Sequence, residues 1–150
     1  MFQNIINQII KKPQNRYVNY EDLQQIQTTN TRGYFFINTL PYNEQTCLIR
    51  NTVAANEEEN LVNVRLKNAP KNRIHFFIYG RNSSDQTVGR KYSQLTKMGY
   101  TNVFIYSGGL FEWLLLQDIY GEENFPTTSK ELNILKYKQP SFMKNTLMNF

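Results

Sequence analysis

"LTKMGYTNVFIYSGGLFEW", residues 95–113, decides how this chain folds. It opens on the end of a helix. Val88, Tyr92 and Leu95 recur at helical spacing, so the segment from about Asp85 to Met98 carries one apolar face. Gly99 supplies the left-handed residue that stops it. "TNVFIYSGG" then reads as a buried strand closed by two glycines, and "LFEWLLLQDIYG" as a helix ended by Gly121.

The same alternation continues outward. "RIHFFIYG", residues 73–80, is a near-continuous apolar run, as expected of a central parallel strand covered on both faces. "GYFFINTL", residues 33–40, is a second buried strand, started by Gly33 and stopped by Pro41. "TCLIRNTV" reads as a further short strand or extended segment, and "NEEENLVNVRL" as one helical turn. In "VNYEDLQQIQ", Asn19 is an N-cap with Asp22 three residues on, the pattern of a capping box. "FQNIINQII" places Phe2, Ile5, Ile6, Ile9 and Ile10 at helical spacing, and Pro13 ends that helix. Strand–helix alternation predicts a small α/β domain with a parallel sheet. Its ligand loops should lie at the carboxyl ends of the strands, here 80–85 and 107–109.

The chain has 150 residues, enough for one domain with one core. Its aromatic share, 14% with ten Tyr and ten Phe, exceeds what a core of this size needs, which points to some rings at an interface. The net charge of +5 comes from scattered Lys and Arg rather than from runs, and no nucleic-acid-binding module is recognisable. Cys47 is the single cysteine, so no intramolecular disulfide forms. This suits an intracellular, reducing compartment: cytoplasm, or an organelle such as a mitochondrion or cilium. No apolar run reaches the ~20 residues of a membrane span. One His and one Cys give no metal-ligand set, and no cofactor motif is present.

On these residues the chain resembles the rhodanese-like domains, from about Asn19 to Gly121. "LTKMGYTNVFIYSGGLFEW" is similar to the family's Leu-x-x-x-Gly-[Phe/Tyr]-x-x-Val-x-x-Leu-x-Gly-Gly-x-x-x-Trp signature, with Gly99, Val103, Gly108, Gly109 and Trp113 in register. The resemblance implies a three-layer α/β domain with a small central parallel sheet flanked by helices. It divides the chain into an N-terminal helical extension (1–18), the domain (19–125) and a C-terminal tail (126–150).

The family's chemistry rests on a cysteine directly after the active-site strand. Its thiolate accepts and passes on a sulfane sulfur, held by inward-pointing loop N–H groups at a helix N-terminus. By the resemblance that cysteine falls at Gly80. The acidic residue expected in the preceding strand is Asn38. The His-Ile-x-Gly-Ala segment has become "CLIRN", with Cys47 near the histidine. Asp85 or Gln86 stands where the loop's closing arginine is usual. The loop Gly80, Arg81, Asn82, Ser83, Ser84, Asp85 therefore reads as a vestigial active site. The implied function is an inactive rhodanese-like domain serving as a subunit or adaptor of a larger protein assembly.

The alternative is a divergent sulfurtransferase, or a phosphatase-like enzyme, that uses residues 80–86 with Cys47 or a loop serine as nucleophile. A serine needs an adjacent base, and the only histidine, His75, lies in mid-strand. Ser83, Ser84 or Asp85 more simply caps the following helix. Arg81, Ser83 and Ser84 are candidates for binding an anion. Helix 110–120 carries more apolar residues than one face needs, so either the N-terminal helix or another protein covers it. The candidate partner contacts are Phe111, Leu115, Tyr137, Phe142 and Phe150.

Overall fold

The computed structural model describes residues 16–146. The expected helix over 2–10 and Phe150 lie outside them. Strand β1 (Tyr17–Val18) leads into helix α1 (Tyr20–Thr29). Then follow β2 (Tyr34–Asn38), helix α2 (Ala55–Asn60), β3 (His75–Tyr79) and helix α3 (Gln86–Lys97). Strand β4 (Asn102–Tyr106), helix α4 (Gly109–Tyr120) and a short helix α5 (Phe142–Thr146) complete the order. The four strands form one parallel sheet in the order β1-β4-β3-β2.

Alternation along the strands sorts their side chains onto two faces. Phe36, Phe77 and Phe104 adjoin across β2, β3 and β4 on one face, Phe36 edge-on to Phe77 at 6.1 Å and Phe77 stacked on Phe104 at 5.2 Å. That face packs on Leu23 of α1 and on Leu110, Trp113 and Leu114 of α4. Phe76, Ile78 and Val103 point the other way, onto Leu61, Val88 and Leu95. The apolar runs thus make a sheet covered on both sides, as the sequence predicts.

The helix ends follow from single residues. Asn19 Oδ1 accepts from the N–H of Glu21 and Asp22, and Asp22 returns a hydrogen bond from Asn19 N–H at 2.9 Å. The capping box is therefore closed. Gly109, at φ +67°, starts α4 where a β-carbon would stand 2.7 Å from the Gly80 carbonyl oxygen. The glycine pair thus lets α4 seat against the loop after β3, as well as turning the chain.

Three expectations need correction. Of the two readings of residues 46–53, the strand does not form and the segment makes only isolated bridges. Thr52 bridges Phe36 in parallel and Ile49 bridges Thr127 antiparallel, because Asn51 at φ +75° turns the chain between them. The single turn expected in 56–66 is α2 continued by a wide π-type turn, Leu61–Arg65, which aims Leu61 and Leu66 inward. The segment read as a tail belongs to the fold as far as Tyr137. Arg50 N–H donates to Pro126 O at 3.0 Å and Thr128 N–H to Leu48 O at 2.8 Å. Phe125, Thr127 and Tyr137 are buried, and β1 lies within the sheet although residues 1–18 were set apart. The second apolar side of α4 is therefore covered by residues 125–137 of the same chain. Among the described residues no helix is long and apolar enough to cross a membrane.

Candidate functional site

Strand β3 delivers the chain to Gly80, and α3 begins six residues later. The loop between them is closed by its own side chains. Asp85 caps α3 through Oδ1, which accepts from Thr87 N–H at 3.0 Å and from the Thr87 hydroxyl at 2.6 Å. Its other oxygen, Oδ2, turns back and accepts from Arg81 N–H at 3.0 Å. A β-carbon at position 80 would meet Asp85 Oδ2 at 2.4 Å and Val88 Cγ2 at 2.8 Å. The space that a side chain on residue 80 would need is filled by the Asp85 carboxylate.

Burial works against the charge on Asp85. The N–H of Arg81 and the hydroxyl and N–H of Thr87 outweigh it, and Arg81's positive charge adds to them, so the carboxyl titrates below its ordinary value. It is an anion supplied by the chain itself, seated among the N–H and hydroxyl donors of the loop.

Other loop groups are also engaged, whereas Arg81 Nε is buried without a hydrogen-bond partner among the described residues. Asn82 is buried; its amide donates to Tyr137 O at 2.9 Å, and its Oδ1 accepts from the N–H and hydroxyl of Ser84. Ser83 is exposed. The Arg81 guanidinium pairs with Glu44, from the 3-10 turn Tyr42–Glu44. Helix α4 closes the far side: Leu110 N–H donates to Gly80 O at 2.9 Å and Phe111 N–H to Arg81 O at 2.8 Å. Asn38, the last residue of β2, is buried, and its Oδ1 accepts from Leu40 N–H at 3.1 Å.

His75 sits at the opposite end of β3, about 15 Å from Gly80 at the rise of a strand, with its ring 4.3 Å from that of Tyr34. Cys47 is buried among core side chains and donates to Ser129 O at 3.3 Å. Burial pushes its thiol above the ordinary value, the opposite of what a reactive cysteine needs.

Of the expected partner contacts, Tyr137 is wholly buried within this chain, where it supports the loop through Asn82. Phe111 is half-buried, Leu115 is 38% exposed and Phe142 is 72% exposed. Sequence reasoning missed Glu44 as the mate of Arg81 and Asn82 as the loop's anchor. The Asn-x-Ser spacing of Asn82 and Ser84 was a legible sign of an Asx-type turn. Glu44 is separated by 37 residues from its mate and left no sign.

The comparisons with known proteins agree with this architecture. The family model for the rhodanese-like domain matches residues 28–116. No curated protein matches the chain. Among solved structures, a full-length protein from Lactobacillus plantarum superposes with a TM-score of 0.58 at 13% identity, covering 87% of this chain and 100% of that one. The BH2092 protein from Bacillus halodurans gives 0.57 at 14% identity, covering 97% and 96%. The Alr3790 protein from Anabaena sp. gives 0.55 at 18%, covering 79% and 97%. At such identities the structures speak for the fold alone, while the family model spans more than half of the sequence. The chain belongs to the rhodanese-like domain family.

Proposed function

We propose that this chain is a rhodanese-like domain without sulfurtransferase activity that serves as a protein-binding subunit of a larger assembly. The observation that carries the reading is the Asp85 carboxylate, which occupies the space beside Gly80 and takes up the Arg81 N–H. By the resemblance, that space belongs to the family's cysteine and the N–H groups to its anionic substrate. A negative charge already in place repels thiosulfate or phosphate, and Gly80 offers no nucleophile. The same point weighs against an anion sensor built on Arg81, Ser83 and Ser84, because the guanidinium is paired with Glu44 and the Ser84 hydroxyl with Asn82.

The protein-binding half of the reading draws on exposed apolar side chains. Leu132 and Leu135 are exposed before the buried Tyr137, Phe142 and Met143 are exposed after it, and Ile119 stands out from α4. A thiosulfate–cyanide assay of the full chain tests the first half. No thiocyanate is expected, from the wild type or from Cys47→Ser; turnover that vanishes in Cys47→Ser would overturn the reading. Sizing of the native protein tests the second half. A defined complex is expected, and recovery solely as a monomer counts against it.

A further inference from the structure

Charge is unevenly distributed along this chain. From Asn60 to Phe111 there are eight cations (Arg65, Lys67, Lys71, Arg73, Arg81, Arg90, Lys91 and Lys97) and one acid, Asp85, whose carboxylate is spent inside its loop. Arg81 and Lys91 are paired with Glu44 and Glu58.

The parallel sheet gathers most of the others at one end. Arg32 precedes β2, Lys71 and Arg73 precede β3, and Lys97 precedes β4, so all four lie at the amino ends of the strands. The connecting loops touch. His75 N–H donates to Gly33 O at 2.8 Å, and the Asn102 amide donates to Asn72 O at 2.9 Å. Lys71 Nζ donates to Met98 O and lies 5.3 Å from the centre of the Tyr100 ring. Arg65 and Lys67 flank Leu66, which is buried in the same cluster as Ile74 and Tyr100. All six side chains are exposed, and none forms an ion pair among the described residues.

This face also offers apolar contact. Val64 is 65% exposed. A groove of about 370 Å³ between α2 with its π-type turn and α3 has Val62, Leu95 and Met98 in its walls, together with Glu58, Glu59 and Lys91, of which Lys91 and Glu58 pair. Met98 brings the groove to the cationic end, because its carbonyl is the acceptor of Lys71.

We propose that this end of the sheet, remote from the 80–85 loop, binds an acidic polypeptide segment. Its carboxylates lie over Arg32, Arg65, Lys67, Arg73 and Lys97, and one apolar side chain packs on the exposed Met98 at the cationic rim of the groove, away from Glu58 and Glu59. Lys71 has a second duty there, closing the carbonyl end of α3. A single-stranded nucleic acid would call for exposed rings on which bases stack. The rings at this end do not serve: Tyr100 is buried and Tyr34 half-buried. The proposal rests on the protein-binding reading above and gives the partner its chemistry.

The test is a fluorescence-anisotropy titration of the full chain with a labelled glutamate-rich peptide carrying one leucine. DNA of equal charge, single-stranded and duplex, serves as competitor. Binding is expected to weaken with added salt and on replacing the leucine by serine. The triple variant Arg65→Glu, Lys67→Glu, Arg73→Glu should bind about tenfold more weakly, since several rim charges act together. Lys136→Gln, on the other layer, should bind as the wild type does. Should the triple variant fail to fold by circular dichroism, Arg32→Gln with Lys97→Gln takes its place, with the same direction expected. Displacement of the peptide by DNA, salt-insensitive binding, or unchanged affinity in these variants would overturn the proposal. Failure to bind the peptide in a chain without sulfur transfer removes this surface alone; failure together with sulfur transfer removes the protein-binding reading as well.

Discussion

At the scale of the residue, Asp85 accepts hydrogen bonds on both carboxylate oxygens, one for the helix and one for the loop. Its lowered pKa has a consequence for stability. A carboxyl that titrates lower in the folded chain than in the unfolded one stabilises the fold above the unfolded value, roughly 4, and that stabilisation drains away as pH falls through the folded value. Asp85→Asn should therefore flatten the dependence of thermal stability on pH in the acid range, while Asp85→Ala should cost about 1 kcal/mol near neutrality through loss of the cap. Melting curves between pH 3 and pH 7 check both. A wild-type curve whose acid limb is unaltered by Asp85→Asn would show that the carboxylate is no more than a solvated surface charge. The sequence offered Asp85 as a cap beside Ser83 and Ser84, because short polar residues at a helix start favour that role, and the structure selects Asp85. Its second bond, back to Arg81, depends on the glycine at position 80 leaving room, which no local pattern encodes.

At the scale of the element, legibility followed period and punctuation. The strands were readable because Phe and Ile runs flanked by glycine or proline have few competing interpretations, and α1 because Asn19 and Asp22 mark its first turn. Residues 46–53 left strand and extended segment open because β-branched residues promise a strand, whereas Asn51 in the left-handed region breaks the pairing after one bridge. Glycines separate the two kinds of signal. Gly109 combines φ +67° with a backbone oxygen 2.7 Å from where its β-carbon would be. Gly109→Ala should therefore destabilise by about 3 kcal/mol or more, since a positive φ and a backbone clash are both imposed. Gly89 lies in α3, exposed, with nothing within 4 Å of an added β-carbon. Gly89→Ala should stabilise by about 0.5–1 kcal/mol, the ordinary gain of removing a helical glycine. Urea unfolding of the pair is a matched comparison. Similar effects from the two substitutions would mean that α4 does not seat on the loop as described.

At the scale of the whole molecule, the family signature ends before the fold does. Trp113 illustrates why. Its ring is edge-on to Phe125 at 5.0 Å, and its indole N–H donates to Pro126 O at 3.2 Å, so the most deeply packed residue of the signature is sealed by chain that follows it. Tyr137 then closes the same cluster and holds Asn82 through its backbone carbonyl. The contact lies 55 residues apart in sequence, and a basic stretch such as "KYKQP" gives no hint of it. A chain stopped after Phe125, the boundary that the sequence suggests, should accordingly lose cooperative unfolding, with Trp113 fluorescence shifted to the red by exposure. Within the full chain, Tyr137→Ala should cost about 3–5 kcal/mol, as for other large buried rings. Tyr137→Phe should be neutral or mildly stabilising, because the buried hydroxyl has no hydrogen-bond partner among the described residues. Denaturant titrations of the two variants separate packing from polarity at this position. A truncated chain that melts as sharply as the full one would return residues 126–137 to the status of an appendage and leave Asn82, and with it the shape of the 80–85 loop, without its support.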